Sequence, residues 1–148
     1  LEKQNETGNI SYDPENHEFM VKMRAAKVAK VADYIPAQTI DNGNDKGKLL
    51  VIGWGSTYGA IKAAVKEARA KGYDVSHAHL RYLNPFPKNL SEVLKSFDKV
   101  LVPEMNLGQL NSILRDKFLV DTIALNKVKG LPFSTSEILE KIEEIVTK

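Results

Sequence analysis

The residues with the most chemical potential in this chain lie in the run Gly53-Trp54-Gly55-Ser56-Thr57-Tyr58-Gly59. It follows the apolar segment Leu49-Leu50-Val51-Ile52 and leads into a helical pattern through Ala64. A buried strand, a tight turn and a helix start would aim backbone N–H groups at an anion beside the strand's carboxyl end. The spacing nearly satisfies the dinucleotide fingerprint G-x-G-x-x-G, but the third glycine comes one residue late and Tyr58 stands in its place. The acid expected at the end of the next strand is missing, and Arg81 is offered instead. No Gly-Lys-Ser/Thr follows, which excludes a Walker loop. Glycines that permit close packing, with Ser56 or Thr57 capping the helix, account for the turn more fully than a nucleotide does. A bound phosphate and an interface role are the alternatives.

Other candidates are weaker. His77 and His79 are two apart on a predicted strand and so share one face. Two imidazoles fall short of the three protein ligands of a catalytic metal, and His17 is remote in sequence. They read as partly buried or interface histidines. Ser56 does not sit in a nucleophile elbow, because Trp54 stands where that motif needs glycine. Glu104 follows a strand's carboxyl end as a single carboxylate, which fits helix entry or subunit contact better than catalysis. Asn106, three residues before Gln109, resembles a capping box. Trp54, Tyr58, Glu104 and Asn106 are therefore expected at an interface, and no catalytic, cofactor or metal residue is assigned.

The totals bound the rest. At 148 residues the chain is one domain with or without an appendage. Its 21 basic and 19 acidic residues leave a charge of +2, too little for a nucleic-acid or membrane-binding field. The absence of cysteine excludes thiol catalysis, disulfides and an iron–sulfur cluster held by this chain, and fits a cytoplasmic home. No apolar run reaches the about 18 residues of a membrane span. The chain opens on Leu1 rather than Met, so it is expected to be part of something longer.

Positioning falls to alternating helices and strands. Asp13-Pro14-Glu15 starts a helix, along which Val21, Ala25, Val28, Ala32 and Ile35 form a stripe that Pro36 ends. Lys22, Arg24, Lys27 and Lys30 lie off it as a solvated face. Residues 41–47 are rich in turn formers, so 1–47 is read as a helical arm and linker from a preceding domain and 48–148 as the α/β domain. Ile61, Ala64, Val65 and Ala68 make a helix closed by Gly72. Strands follow over Asp74–Leu83, Val100–Val102 and Asp121–Asn126, with helical stripes at Leu90–Phe97 and Leu107–Leu114. A Ser134–Glu137 capping box opens the last helix. Such alternation predicts a mainly parallel sheet with helices on both faces.

Several stretches occur together in order: Asp13-Pro14-Glu15-Asn16-His17-Glu18, the glycine turn, Leu83-Asn84-Pro85-Phe86-Pro87, Pro103-Glu104-Met105-Asn106-Leu107-Gly108-Gln109-Leu110 and Gly130-Leu131-Pro132-Phe133. The set resembles the C-terminal part of the α subunit of 2-oxoacid:ferredoxin oxidoreductases, most closely the 2-oxoglutarate type. That resemblance implies a transketolase C-terminal-like α/β/α sandwich with a mostly parallel sheet and one antiparallel strand. It implies a parent enzyme that decarboxylates a 2-oxoacid on thiamine diphosphate and magnesium, forms acyl-CoA and passes electrons through iron–sulfur clusters to ferredoxin. The implied partners are a β subunit and the preceding domains of the α subunit. The Gly-Asp-Gly…Asn pattern that holds magnesium diphosphate is missing here, so no cofactor is expected in this stretch; the resemblance implies that the thiamine sites lie in other domains and the β subunit and that this domain mainly supports assembly. A free-standing nucleotide- or phosphate-binding module on the Gly53–Gly59 turn is the rival, and a regulatory interaction domain a third reading.

Overall fold

The computed structural model describes residues 1–147, which separate into two units: residues 1–36 with 82–88, and residues 37–81 with 89 onward. In the first, β1 (Glu2–Lys3) pairs antiparallel with β2 (Ile10–Ser11). Helix α1 (Pro14–Lys30) starts as its residues dictate: Asp13 accepts the Glu15 N–H and Pro14 occupies the first helical position, where a missing N–H costs nothing. Arg24 donates to Glu2 at 2.7 Å and holds that carboxyl down at about 2. The expected stripe is uncovered. No α1 residue is buried, Val21 and Val28 are 45% and 43% exposed, and Phe19 and Met23 extend the apolar surface beyond one face.

The second unit carries the sheet. Strands β3 (Gly47–Trp54), β4 (Val75–Leu80), β5 (Phe97–Glu104) and β6 (Thr122–Asn126) are all parallel, in the order β4-β3-β5-β6. Right-handed crossovers send α2 (Tyr58–Ala70) to one face and α3 (Leu90–Lys95) and α4 (Gln109–Phe118) to the other, because β3→β4 runs opposite in direction to β4→β5 and β5→β6. Alternation then splits the core. Leu49, Val51 and Leu101 pack with Ile61 and Val65 of α2 and Ile138 and Ile142 of α5 (Thr135–Val146). Leu50, Ile52, Val100 and Val102 turn to the opposite layer, where Leu90, Leu94, Leu110 and Leu114 are buried. The result is a three-layer α/β/α sandwich. Ser134 and Glu137 cap α5 reciprocally, with Glu137 held at about 2 chiefly by the Lys127 ammonium.

Several details depart from the sequence reading. Strand β5 begins at Phe97, which the periodicity placed in the preceding helix, and runs through Pro103 to Glu104 rather than over Val100–Val102 alone. Strand β4 stops at Leu80 instead of Leu83, and it is buried along its whole length. Its outer edge is shut by residues 41–44: Asp41 N–H and Asn42 N–H reach the His77 carbonyl, and His77 N–H returns to Asn42 at 2.7 Å. The Asp41 carboxylate takes the His79 N–H, and the Ser76 hydroxyl bonds Asn44 in both directions. Within the sheet unit the antiparallel element among the described residues is thus the Asn42–His77 bridge, and the turn-rich stretch is part of that unit.

Candidate functional site

In a doubly wound sheet, ligands gather where neighbouring strands send their helices to opposite faces. Here that point lies between the carboxyl ends of β3 and β5, since α2 and α4 flank different faces. Trp54, Gly55, Ser56 and Thr57 meet Met105 and Asn106 around a cleft of about 140 Å³.

Glu104 governs the spot. It has no exposed surface, and its carboxylate accepts four donors: Leu110 N–H at 2.8 Å, Asn111 N–H at 2.9 Å, Asn106 Nδ2 at 3.2 Å and Trp54 Nε1 at 3.3 Å. The first two are backbone donors of the first turn of α4. Free N–H groups and the helix dipole make that end an anion site, and the chain's own carboxylate fills it. Glu104 is therefore a helix-entry residue; burial takes it out of the expected contact surface. The Asn106–Gln109 capping box is corrected by the same geometry. Gly108 is the N-cap, at φ +92°, while Asn106 Oδ1 accepts Gly108 and Gln109 N–H and so ties the loop.

Of the three glycines in the turn, Gly53 alone is required by close packing. A Cβ on Gly53 would lie 2.3 Å from Ile61 Cδ1 and 2.7 Å from Thr57 Oγ1, so any side chain there would have to displace the buried Ile61 methyl and the Thr57 hydroxyl. Gly55 has open space but φ +59°, the left-handed region. The Thr57 hydroxyl closes the short turn on Trp54, donating to its carbonyl at 2.8 Å and accepting its N–H. Neither Ser56 nor Thr57 caps α2 with its side chain. Gly55→Val is expected to cost about 1–3 kcal/mol through backbone strain. Gly59→Ala, at an ordinary helical φ with nothing within 4 Å, should be neutral or slightly stabilising. Urea midpoints of both variants test the contrast, and equal losses would refute it.

Tyr58 lies elsewhere, against the histidines. Its ring centroid is 5.4 Å from that of His77 and 4.9 Å from that of His79, and the two imidazoles are 6.1 Å apart. Both nitrogens of His77 and Nδ1 of His79 are buried without a hydrogen-bond partner. Burial drives the His77 pKa down to about 4, against the pull of nearby Asp41, and lowers that of His79 for the same reason. No group of three or more His, Cys, Asp or Glu able to hold a metal exists among the described residues. Of the four expected interface residues, the fold brings Trp54, Glu104 and Asn106 together and leaves Tyr58 with His77 and His79. The Asp41–Asn44 closure of β4 was beyond sequence reasoning, since turn formers carry no periodicity that marks a pairing partner.

Residues 47–131 match the family described as pyruvate:ferredoxin oxidoreductase core domain II. The chain is 51% identical over 138 residues to the 2-oxoglutarate oxidoreductase subunit KorA of Mycobacterium tuberculosis, covering 93% of this chain and 21% of that protein. It superposes on a 2-oxoglutarate:ferredoxin oxidoreductase of Magnetococcus marinus, solved with 2-oxoglutarate, coenzyme A and succinyl-CoA bound, with a TM-score of 0.89. That match is 29% identical and covers 98% of this chain and 26% of the other. A split-gene transketolase, described as an inactive tetramer, shares the fold at a TM-score of 0.58, with 16% identity over 74% of this chain and 41% of that one. The chain thus spans about a fifth to a quarter of the length of the two oxidoreductases.

Proposed function

Because this chain belongs to the pyruvate:ferredoxin oxidoreductase core domain II family, we propose that it is the assembly domain of a 2-oxoglutarate:ferredoxin oxidoreductase α subunit. The parent complex would decarboxylate the 2-oxoacid on thiamine diphosphate with magnesium, form an acyl-CoA and send electrons through iron–sulfur clusters to ferredoxin in the cytoplasm. A β subunit and the other α-subunit domains are its partners. Among the described residues no helix is long and apolar enough to cross a membrane.

The observation that carries the assembly role is the self-filled crevice. The position where an α/β sheet would take a ligand is closed by Glu104 and Trp54, and the remaining cleft of about 140 Å³ is small for a nucleotide. Without cysteine or a diphosphate motif the residues do not fit an iron–sulfur cluster or magnesium thiamine diphosphate, and no chemical step is assigned to them. The exposed apolar surface of α1 supports reading the α1 part of the 1–47 segment as the arm, residues 41–44 belonging to the sheet unit, with Trp54, Tyr58 and Asn106 as candidate contacts.

Calorimetric titration of the chain with NAD, ATP, CoA and thiamine diphosphate is expected to give no binding heat, and co-expression with the β subunit and remaining α domains to give one co-purifying complex. Saturable heat with any of the four ligands, or no co-purification, would overturn the reading.

A further inference from the structure

Helix α1 is 17 residues long and buries none of them. A helix of that length in water owes most of its stability to packing, so what surrounds it matters. At about 100° per residue, Asn16, His17, Met20, Arg24 and Lys27 share one sector of its surface. The β1–β2 hairpin lies against that sector. Asn16 Nδ2 donates to the Lys3 carbonyl at 3.1 Å, and Glu2 accepts from Arg24 and lies 3.5 Å from His17 Nδ1. Two apolar flanks are left on either side of the hairpin. Val21, Ala25 and Val28 form one; Phe19, Met23 and Ala26 form the other, about 160° away, with the Lys30 stem at its end. A narrow polar ridge of Glu15, Glu18 and Lys22 divides them, with Lys22 paired to Glu18. Phe19 is 48% and Met23 37% exposed, much like Val21 and Val28 on the opposite flank.

From these opposed flanks we infer that α1 is a wedge, gripped on both sides by a two-walled apolar cleft in the remaining domains of the α subunit. The inference rests on the function proposed above and names the surface through which the arm acts. Apolar surface on more than one side belongs to helices buried inside a larger body. One two-fold contact with a second copy would cover a single flank, and using both flanks would extend into rings or open chains of copies. A membrane surface likewise takes one flank only, because a helix lying in it keeps a polar side opposite the apolar one. The rest of the same polypeptide meets the requirement. The superposition on the longer oxidoreductase covers 98% of this chain and 26% of that one, so α1 has a counterpart inside a polypeptide about four times as long. The family match begins at residue 47, so the helix is an addition to the sheet domain proper. A cleft on the same polypeptide also has a higher effective concentration than one on a free partner.

Thiol labelling tests this in a chain that has no cysteine of its own. Met23→Cys and Val28→Cys, one on each flank, are alkylated in the isolated chain and after co-expression with the remaining α-subunit domains, with and without the β subunit. Mass spectrometry reads the α1 peptide. Both sites are expected to react at least about tenfold more slowly once assembled, with or without the β subunit. Phe19→Glu and Val28→Glu, each setting a charge against an apolar wall, should each weaken co-purification at least about tenfold. The circular dichroism of the isolated chain should not change, since both positions are exposed. Protection of one flank alone, protection that needs the β subunit, or co-purification indifferent to either glutamate would overturn the inference and leave the proposed function standing. Dimerisation of the isolated chain, or its binding to anionic lipid vesicles, that is lost in Val28→Glu would do the same. Failure of the unaltered chain to co-purify would overturn the function, and the inference with it.

Discussion

Glu104→Ala is expected to lower the stability of the sheet unit by about 3–5 kcal/mol, because it strips a buried site of four hydrogen bonds at once. Leu110 and Asn111 N–H would be left as orphans in the first turn of α4, and the Trp54 indole would lose its partner. Glu104→Gln keeps the shape but turns a donor toward donors, so it should recover only part of the loss. Asn106→Ala, at a half-buried position, should cost about 1 kcal/mol. At roughly 4 °C per kcal/mol for a unit of this size, Glu104→Ala should melt at least about 10 °C below the parent. Scanning calorimetry checks the order Ala, then Gln, then Asn106→Ala. A Glu104→Ala protein as stable as the parent would mean that the carboxylate does not organise the helix entry.

The second large effect is acid sensitivity. Unfolded His77 takes up its proton near pH 6.5, whereas the folded residue does so near pH 4, because charging it means placing an ion in a dry pocket beside Tyr58 and His79. Between these values the unfolded chain binds more protons, so stability falls as pH falls. The drop from 6.5 to about 4 corresponds to about 3 kcal/mol, fully present above pH 6.5 and gone below pH 4. His79 is shifted the same way and adds to the loss. Glu2 and Glu137, both held at about 2, lose their contributions between pH 4.5 and 2, so the windows scarcely overlap. Urea midpoints at pH 7.5 and 4.5 should therefore separate widely for the parent and much less for His77→Gln. Equal separations would show that His77 is not the source.

These expectations show how unevenly the sequence reveals the molecule. The strand–turn–helix at Leu49–Ala64, the Asp13-Pro14 and Ser134–Glu137 caps and the Gly72 stop are local signals, set by periodicity and the conformational limits of a few residues. Alternation of the elements is enough to require a parallel sheet with helices on both faces. The ordered motifs carry the family resemblance as well. What the sequence by itself determined was therefore the main helices and strands of the sheet unit and its layer architecture.

The tertiary structure decided how residues distant in the chain combine. Glu104 reads as a lone acid until folding brings Trp54, fifty residues earlier, and the α4 N-terminus onto it. His77 and His79 read as one face of a strand until Tyr58 and the Asp41–Asn42 closure bury them. The stripe of α1 has a helical period, yet period does not say whether another surface arrives to cover it. Local signals report the conformation of a segment, whereas burial and hydrogen-bond partnership depend on what other segments bring to it. For that reason the anion-binding end of α4 was open in the sequence and filled in the fold.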